Sequence, residues 1–431
     1  MSIALSFIPV AMRLPLKFGA ETIHSIQVAH VELEAYGATG RGETPLSVAW
    51  AWPAELPFAH RETAMMDFCR LLAENYPTPQ DGDPMTVGYE FLEHRLGALL
   101  AGFNATQNAP MPYLAALICA SAFDLALHDA FGMALQRPTY STYNKDYMRH
   151  DLAWFFQDGA FAGKYPQDFF VANPPATLPV WHLVGGKDLL READRTGDEP
   201  DDGYPVSLER WIARDGLKCL KIKLTGRDEA ADYARLVAVG QIALEHQVEA
   251  LSPDFNCLVR DPAYVIRVLD RLATEQPDIH QLLLYVEQPF PYDLEANRID
   301  VHEVARRKPL FMDESAHDWR LVRLGHQLGW NGVALKVCKT QTGALLSACW
   351  AKAHGMALMV QDLTNPRLAT IPHALLAAHV GTIKGVECNA PQFYPTASLD
   401  FEKVHPGLYE RRNGVVKLGT TLTAPGFGYY L

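Results

Sequence analysis

A ladder of polar and charged residues runs through the second half of the chain, where Lys221 and Lys223, Asp254 and Asn256, Glu287, Asp313, Lys336 and Gln361 close successive short apolar runs. A lysine or carboxylate is costly to bury unless it meets an opposite charge or a metal ion. One such residue reads as a surface charge at a strand end. Acids closing three consecutive runs, with lysines closing the runs before and after, do not. Asp254, Glu287 and Asp313 offer oxygen ligands only, a set that suits Mg²⁺, or alternatively Mn²⁺, and not Zn²⁺. A metal held there would bind a substrate carboxylate and stabilise the second negative charge that appears on enolisation. Lysine normally titrates near ~10.4 and is a poor base at neutral pH. A neighbouring ammonium and a divalent cation both disfavour protonation, which is how a lysine becomes a usable base, so Lys223 beside Lys221 is the expected base. Lys336 enters from the far side. Removing a proton on one face and returning it on the other would invert a stereocentre.

These residues need elements that bring them together. Eight apolar runs, at Pro179–Val184, Leu217–Leu224, Val248–Asn256, Leu282–Glu287, Pro309–Glu314, Gly332–Val337, Met356–Gln361 and Ile383–Cys388, alternate with helical stretches. That alternation predicts an α/β fold, a parallel (β/α) barrel whose functional groups gather at the C-terminal ends of the strands. Residues 1–138 read as an α+β capping domain. Its strand pattern at Ile26–Glu34 leads into a predicted Gly-rich turn (Gly37, Gly40, Gly42), followed by helical pattern from Arg61 to Phe131. That turn lacks the GxGxxG spacing of a nucleotide loop. The helix Ala115–Gly132 carries Asp124 and Asp129, expected on its surface. Residues 139–390 form the barrel, with irregular insertions at 139–177 and 191–204, and residues 391–431 are expected to return to the capping domain.

The chain has 431 residues and a formal charge of −12, from Asp+Glu 50 against Lys+Arg 38, which argues against nucleic-acid or anionic-membrane partners. Its seven cysteines are scattered and form no CxxC pair, as in a reduced, cytoplasmic protein. Met1–Val10 is apolar but lacks a basic flank, and no uninterrupted apolar run reaches the ~18 residues of a membrane span.

The chemistry-bearing residues resemble those of the enolase superfamily, and within it the muconate lactonizing enzyme subgroup. Lys221-Ile222-Lys223 matches the family's KxK motif, and Asp254-Phe255-Asn256, Glu287-Gln288-Pro289 and Asp313-Glu314-Ser315 match its three metal-ligand motifs. Lys336 falls on the sixth strand. The intervals from Lys223 through Asp254, Glu287 and Asp313 to Lys336 (31, 33, 26 and 23 positions) fit as well. Ala122–Asp129 looks like the helix that closes the family's capping domain, Gly40–Pro45 like its substrate-covering loop, and Ala424–Gly428 like its C-terminal return.

The resemblance implies an enolase-type modified TIM barrel capped by the N-terminal region and the tail. It implies Mg²⁺ on Asp254, Glu287 and Asp313, with Lys223 and Lys336 as the acid/base pair, as enolase-superfamily sites use a Lys or His base with Mg²⁺. Lys221 would tune Lys223 and touch the substrate carboxylate, and Asn256, Gln361, Glu387 and Asn389 are the expected substrate contacts. No His lies on the seventh strand (Leu358–Asp362), which disfavours a His–Asp base; His354 lies before that strand and reads as structural. Dipeptide epimerases of this subgroup carry Asp-x-Asp on the eighth strand, where this chain has Glu387-Cys388-Asn389. Trp50 and Trp52 belong either to the lid or to plain packing.

The expected reaction is racemisation or epimerisation of a small carboxylate through an enediolate; cycloisomerisation and syn-dehydration (a lyase reaction) share its first step. A metal-dependent barrel hydrolase would need His ligands, for which only His182 is near. A non-catalytic binding relative has no use for the two lysines. A homo-oligomer is expected.

Overall fold

The computed structural model describes residues 2–430 apart from 19–20 and 54–55. The capping domain opens with a three-stranded antiparallel sheet of β1 (Ile3–Phe18), β2 (Glu21–Ala35) and β3 (Ala38–Pro45), in the order β1-β2-β3. Tyr36 and Gly37 both take a positive φ, +54° and +79°, at the β2–β3 turn. Gly40 and Gly42, expected in that turn, instead lie on β3, where helix Tyr113–Leu135 crosses so closely that a Cβ would stand 2.0 Å from the Ala126 and Ala122 carbonyl oxygens. They are glycine for contact, not for turning. Nor is Gly40–Pro45 a covering loop, because it pairs along β2 from Leu33 to Val28. The helix behind it is long and apolar enough to cross a membrane, but here it is the buried core helix of the capping domain.

Eight parallel strands follow: β4 (Thr177–Val184), β5 (Cys219–Lys223), β6 (Ala250–Asp254), β7 (Val286–Glu287), β8 (Leu310–Met312), β9 (Gly332–Leu335), β10 (Ala357–Val360) and β11 (Val386–Glu387). Each overlaps one of the eight predicted runs. Hydrogen bonding follows chain order from β4 to β10, with β11 beside β4, and the Ile383 N–H donates to the Leu358 carbonyl (2.9 Å) to bring the last segment against β10. The ring is a (β/α) barrel. Its floor is an apolar layer of Trp181, Cys219, Ala250, Tyr285, Phe311 and Met359. Because side chains alternate along a strand, residues two positions further on stand one layer higher inside the same ring. Those are Leu183, Lys221, Ser252, Glu287, Asp313 and Gln361. Periodicity alone thus stacks charge on top of an apolar plug.

Two expectations change here. Residues 139–177 are not peripheral, since Tyr140, Tyr143, Phe155, Phe156 and Phe161 are buried in the main core. Asp124 and Asp129 are buried, not on the helix surface, and fasten the capping domain to its neighbours. Asp124 accepts from the Thr342 N–H (2.8 Å), the Thr342 hydroxyl (3.0 Å) and the Tyr76 hydroxyl (3.2 Å). Asp129 accepts from the N–H groups of Arg41 (2.9 Å) and Phe427 (2.8 Å). Burial raises their pKa values to about 6 and about 7, against the pull of those donors. The tail touches both domains. Ala390, Phe393 and Tyr394 pack with Val10, Ile23, Ile26 and Val28 of the capping sheet, while β12 (Val415–Lys417) pairs antiparallel with β4.

Candidate active site

The strand ends bring the ladder to one mouth. Asp254 and Glu287 are register partners on β6 and β7, Lys223 pairs with Asp254, and Asp313, Lys336 and Gln361 directly follow β8, β9 and β10. Lys221 sits at the centre, its Nζ 2.5 Å from Glu287 Oε1, 3.3 Å from Asp254 Oδ2 and 3.5 Å from Glu387 Oε2. Burial alone would lower its pKa, but Glu287, Glu387, Asp254 and Asp313 together outweigh burial and hold the ammonium protonated. Lys223 Nζ contacts Asp254 Oδ2 (2.5 Å) and donates to Asn256 Oδ1 (2.8 Å). Its nearest charge is therefore an acid, whereas sequence spacing put Lys221 there. Lys336 Nζ lies 3.2 Å from Asp313 Oδ2 and donates to the Asp362 carbonyl at 3.3 Å. Burial opposes its charge too, and Asp313 more than restores it.

Burial likewise opposes the charge on Asp254 and Asp313, but the lysines facing each hold both below the usual carboxylate range. Glu287, Glu314, Asp362 and Glu387 go the other way, pushed up by burial. Those six buried carboxylates share the mouth with four lysines, 221, 223, 336 and 339. With every acid ionised, the cluster is two positive charges short; burial, joined at Glu287, Glu314 and Glu387 by the neighbouring acids, is what pushes those four acids up. One divalent cation matches the difference, and Glu287 Oε1 and Asp313 Oδ1, which face only the ammoniums of Lys221 (2.5 Å) and Lys339 (3.5 Å), are oxygens such a cation could share. With three carboxylates on adjacent strands and no imidazole or thiolate among them, the donor set fits Mg²⁺ or Mn²⁺. Elsewhere among the described residues, Glu209, Glu245 and His246 have metal-like spacing, but Arg191 already bridges both acids there.

Several expected substrate contacts have other duties. Gln361 Nε2 donates to Glu287 Oε2 and to the Tyr285 hydroxyl (3.1 Å), and its Oε1 lies 3.4 Å from Lys221 Nζ. Asn389 Oδ1 accepts from Leu183 N–H, and its Nδ2 donates to Glu387 Oε1 (2.6 Å) and Asp362 Oδ1 (3.1 Å). Asn256 is held between Lys223 and the Leu224 carbonyl (2.7 Å). Their amides orient charged groups. Glu387 keeps one buried oxygen, Oε2, without a hydrogen bond.

Glu314 and Lys339 at the mouth were missed, and Trp50, left between the lid and plain packing, reaches it as well. Glu314, one position after Asp313, accepts a hydrogen bond from Trp50 Nε1 at 2.8 Å. Lys339, one turn after Lys336, donates to the Asp313 carbonyl at 2.5 Å. Trp50 arrives from the capping domain, whereas Trp52 packs in that domain's own core. Glu314 and Lys339 were legible as charges adjoining the ladder, and of the two tryptophans left between lid and packing only Trp50 reaches the mouth. Glu43 of β3 ties the capping sheet to the loop after β10 through Arg367 (3.1 Å) and the Leu368 N–H (3.1 Å). His182 stays outside the site, against Arg411 at 3.1 Å, and His354 is stacked on Trp350.

The family model for enolase C-terminal domain-like proteins matches residues 204–431. The chain belongs to that family. It groups with the mandelate racemase/muconate lactonizing enzymes of the enolase superfamily. An aromatic dipeptide epimerase from Herpetosiphon aurantiacus is 28% identical over 221 residues, which are 50% of this chain and 59% of that protein. The match thus spans about three fifths of that relative. The structure is similar to the L-Ala-D/L-Glu epimerase of Bacillus subtilis (TM-score 0.66, 20% identity, 99% of this chain and 97% of that one). It is also similar to a dipeptide epimerase from Enterococcus faecalis V583 complexed with Mg and the dipeptide L-Leu-L-Tyr (TM-score 0.64, 18% identity, 99% and 98%).

Proposed function

We propose that the protein is a divalent-metal-dependent racemase or epimerase that removes and returns the α-proton of a small carboxylate substrate, with a dipeptide as the favoured class. The observation that carries this reading is the placement of Lys223 and Lys336. Their strands, β5 and β9, lie four apart in an eight-stranded ring, so the two ammonium groups face each other across the mouth. A substrate α-carbon between them would present one face to each. Lys223, oriented by Asp254 and Asn256, would take or return the proton on one face. Lys336, oriented by Asp313, would act on the other. Lys221 stays protonated and supplies a fixed positive charge toward the substrate carboxylate as negative charge develops there. A divalent cation on Asp254, Glu287 and Asp313 would supply Lewis-acid stabilisation of the same charge. Glu387 Oε2, which has no partner nearer than Lys221 at 3.5 Å, suits an ammonium on the substrate, which with the dipeptide epimerase among its relatives favours dipeptides.

The test is incubation in D₂O with Mg²⁺ and pooled carboxylates: dipeptides, N-acyl amino acids, hydroxy and sugar acids, and muconates. Deuterium uptake at an α-carbon from both stereoisomers, lost with EDTA, is the expected result. Elimination would need only one lysine and would survive Lys336→Ala. The proposal fails if no pool exchanges with Mg²⁺ or Mn²⁺.

A further inference from the structure

Trp50 belongs to the capping domain by sequence and to the barrel mouth by position. It sits in the short helical turn Val48–Ala51, just after β3. Its indole N–H donates to Glu314 Oε1 at 2.8 Å, and its ring centroid lies 5.1 Å from Lys336 Nζ and 5.6 Å from Lys339 Nζ. Trp50, Glu314, Lys336 and Lys339 are all buried. The turn is fixed from behind: Trp52 N–H donates to the Val48 carbonyl (2.8 Å), and the Trp52 carbonyl accepts from the buried Arg61 guanidinium. The backbone that carries the ring is therefore anchored in the capping domain.

The electrostatics suit positioning better than proton transfer. An aromatic face attracts an ammonium but accepts no proton from it, and the attraction grows where water is excluded. Lys336 already has Asp313 Oδ2 and the Asp362 carbonyl as polar partners, and the ring supplies a third, non-titrating surface for the same ammonium. Lys339 is held between the ring and the backbone carbonyl of Asp313, so one indole touches both lysines that flank that carboxylate.

We infer that Trp50 is a positioning residue that couples the seated capping domain to Lys336, clasping Glu314 through its N–H and setting the Lys336 ammonium with its ring. The catalytic consequence rests on the function proposed above; the clasp itself does not. Two measurements keep them apart. The first needs no substrate: amide hydrogen exchange by mass spectrometry on wild type, Trp50→Phe and Glu314→Ala. Glu314→Ala should speed exchange in residues 46–53, and Trp50→Phe in residues 313–317, each by about tenfold or more. If each substitution leaves the other's segment unchanged, there is no clasp.

The second follows Cα–H exchange in D₂O with Mg²⁺ from L-Ala-L-Phe and from L-Ala-D-Phe. Lys336→Ala and Lys223→Ala identify which epimer each lysine serves. Trp50→Leu should slow the Lys336-served epimer about tenfold or more while the other changes by less than about threefold, and Trp50→Phe, which keeps a ring, should fall between. Equal slowing of both epimers would mean a merely structural role and would overturn the inference, as would no slowing of either. If the wild type exchanges neither epimer, the dipeptide reading fails, and the hydrogen-exchange arm still decides the clasp.

Discussion

The buried acids of the capping helix and those of the barrel mouth differ in what answers them. In the capping domain, Asp124 and Asp129 are met by backbone N–H groups and hydroxyls, and each carboxylate oxygen has a partner. At the barrel mouth, Asp254, Glu287 and Asp313 are met by lysine ammoniums, and Glu287 Oε1 and Asp313 Oδ1 face no neutral donor, only Lys221 and Lys339. Neutral donors fixed in the backbone make a permanent fastening. Side-chain ammoniums make a site that can exchange one positive partner for another. Both sets are buried carboxylates; the charge of their partners separates chemistry from architecture.

The sharpest way to break this contrast is to neutralise one mouth acid. Glu287→Gln should lower α-proton exchange by about 10³-fold or more while leaving the thermal midpoint unchanged or raised, because it relieves a cluster with excess negative charge. Mg²⁺ should raise the melting temperature of the wild type but not of this variant. A variant as active as wild type would remove Glu287 from the ligand set. Next comes Gln361, which orients Glu287 from β10: Gln361→Leu should weaken Mg²⁺ binding by roughly 10–100-fold in calorimetric titration. Unchanged affinity would show that its amide only fills space.

The capping acids should behave in the opposite way. Asp129→Ala strands two backbone donors and should cost about 1–3 kcal/mol of stability in denaturant unfolding, with Mg²⁺ binding retained. Loss of metal binding without loss of stability would invert the comparison. The smallest effect is in pH. The folded-state pKa of Asp129, about 7, lies above the ordinary value of ~3.9, so its stability contribution is complete below about pH 4 and is lost as pH rises through 7. Asp129→Asn should flatten that part of the melting-temperature profile, and an identical slope in both proteins would contradict the assignment.

The same contrast explains what was legible from the chain. Asp124 and Asp129 looked like helix-surface charges because their partners, Thr342 and Phe427, lie more than two hundred residues away. The protein partners of Asn256, Gln361 and Asn389 were not legible, because an amide near a strand end reads the same whether or not it also holds a neighbouring charge. Gly40 and Gly42 looked like a turn because local spacing carries no record of the helix pressed against them.

The amino-acid order by itself determined the eight strands and the ladder, since the two-residue period of a strand fixes which side chains enter the ring and at which layer. Lys221, Asp254, Glu287, Asp313 and Lys336 followed from that period. Only the tertiary structure decided which partners their atoms meet. Glu287 has one oxygen held by Gln361, 74 positions away, and Glu314 is reached by Trp50 from 264 positions away. A hydrogen bond is completed by whatever the fold brings within about 3 Å, and sequence distance does not record that.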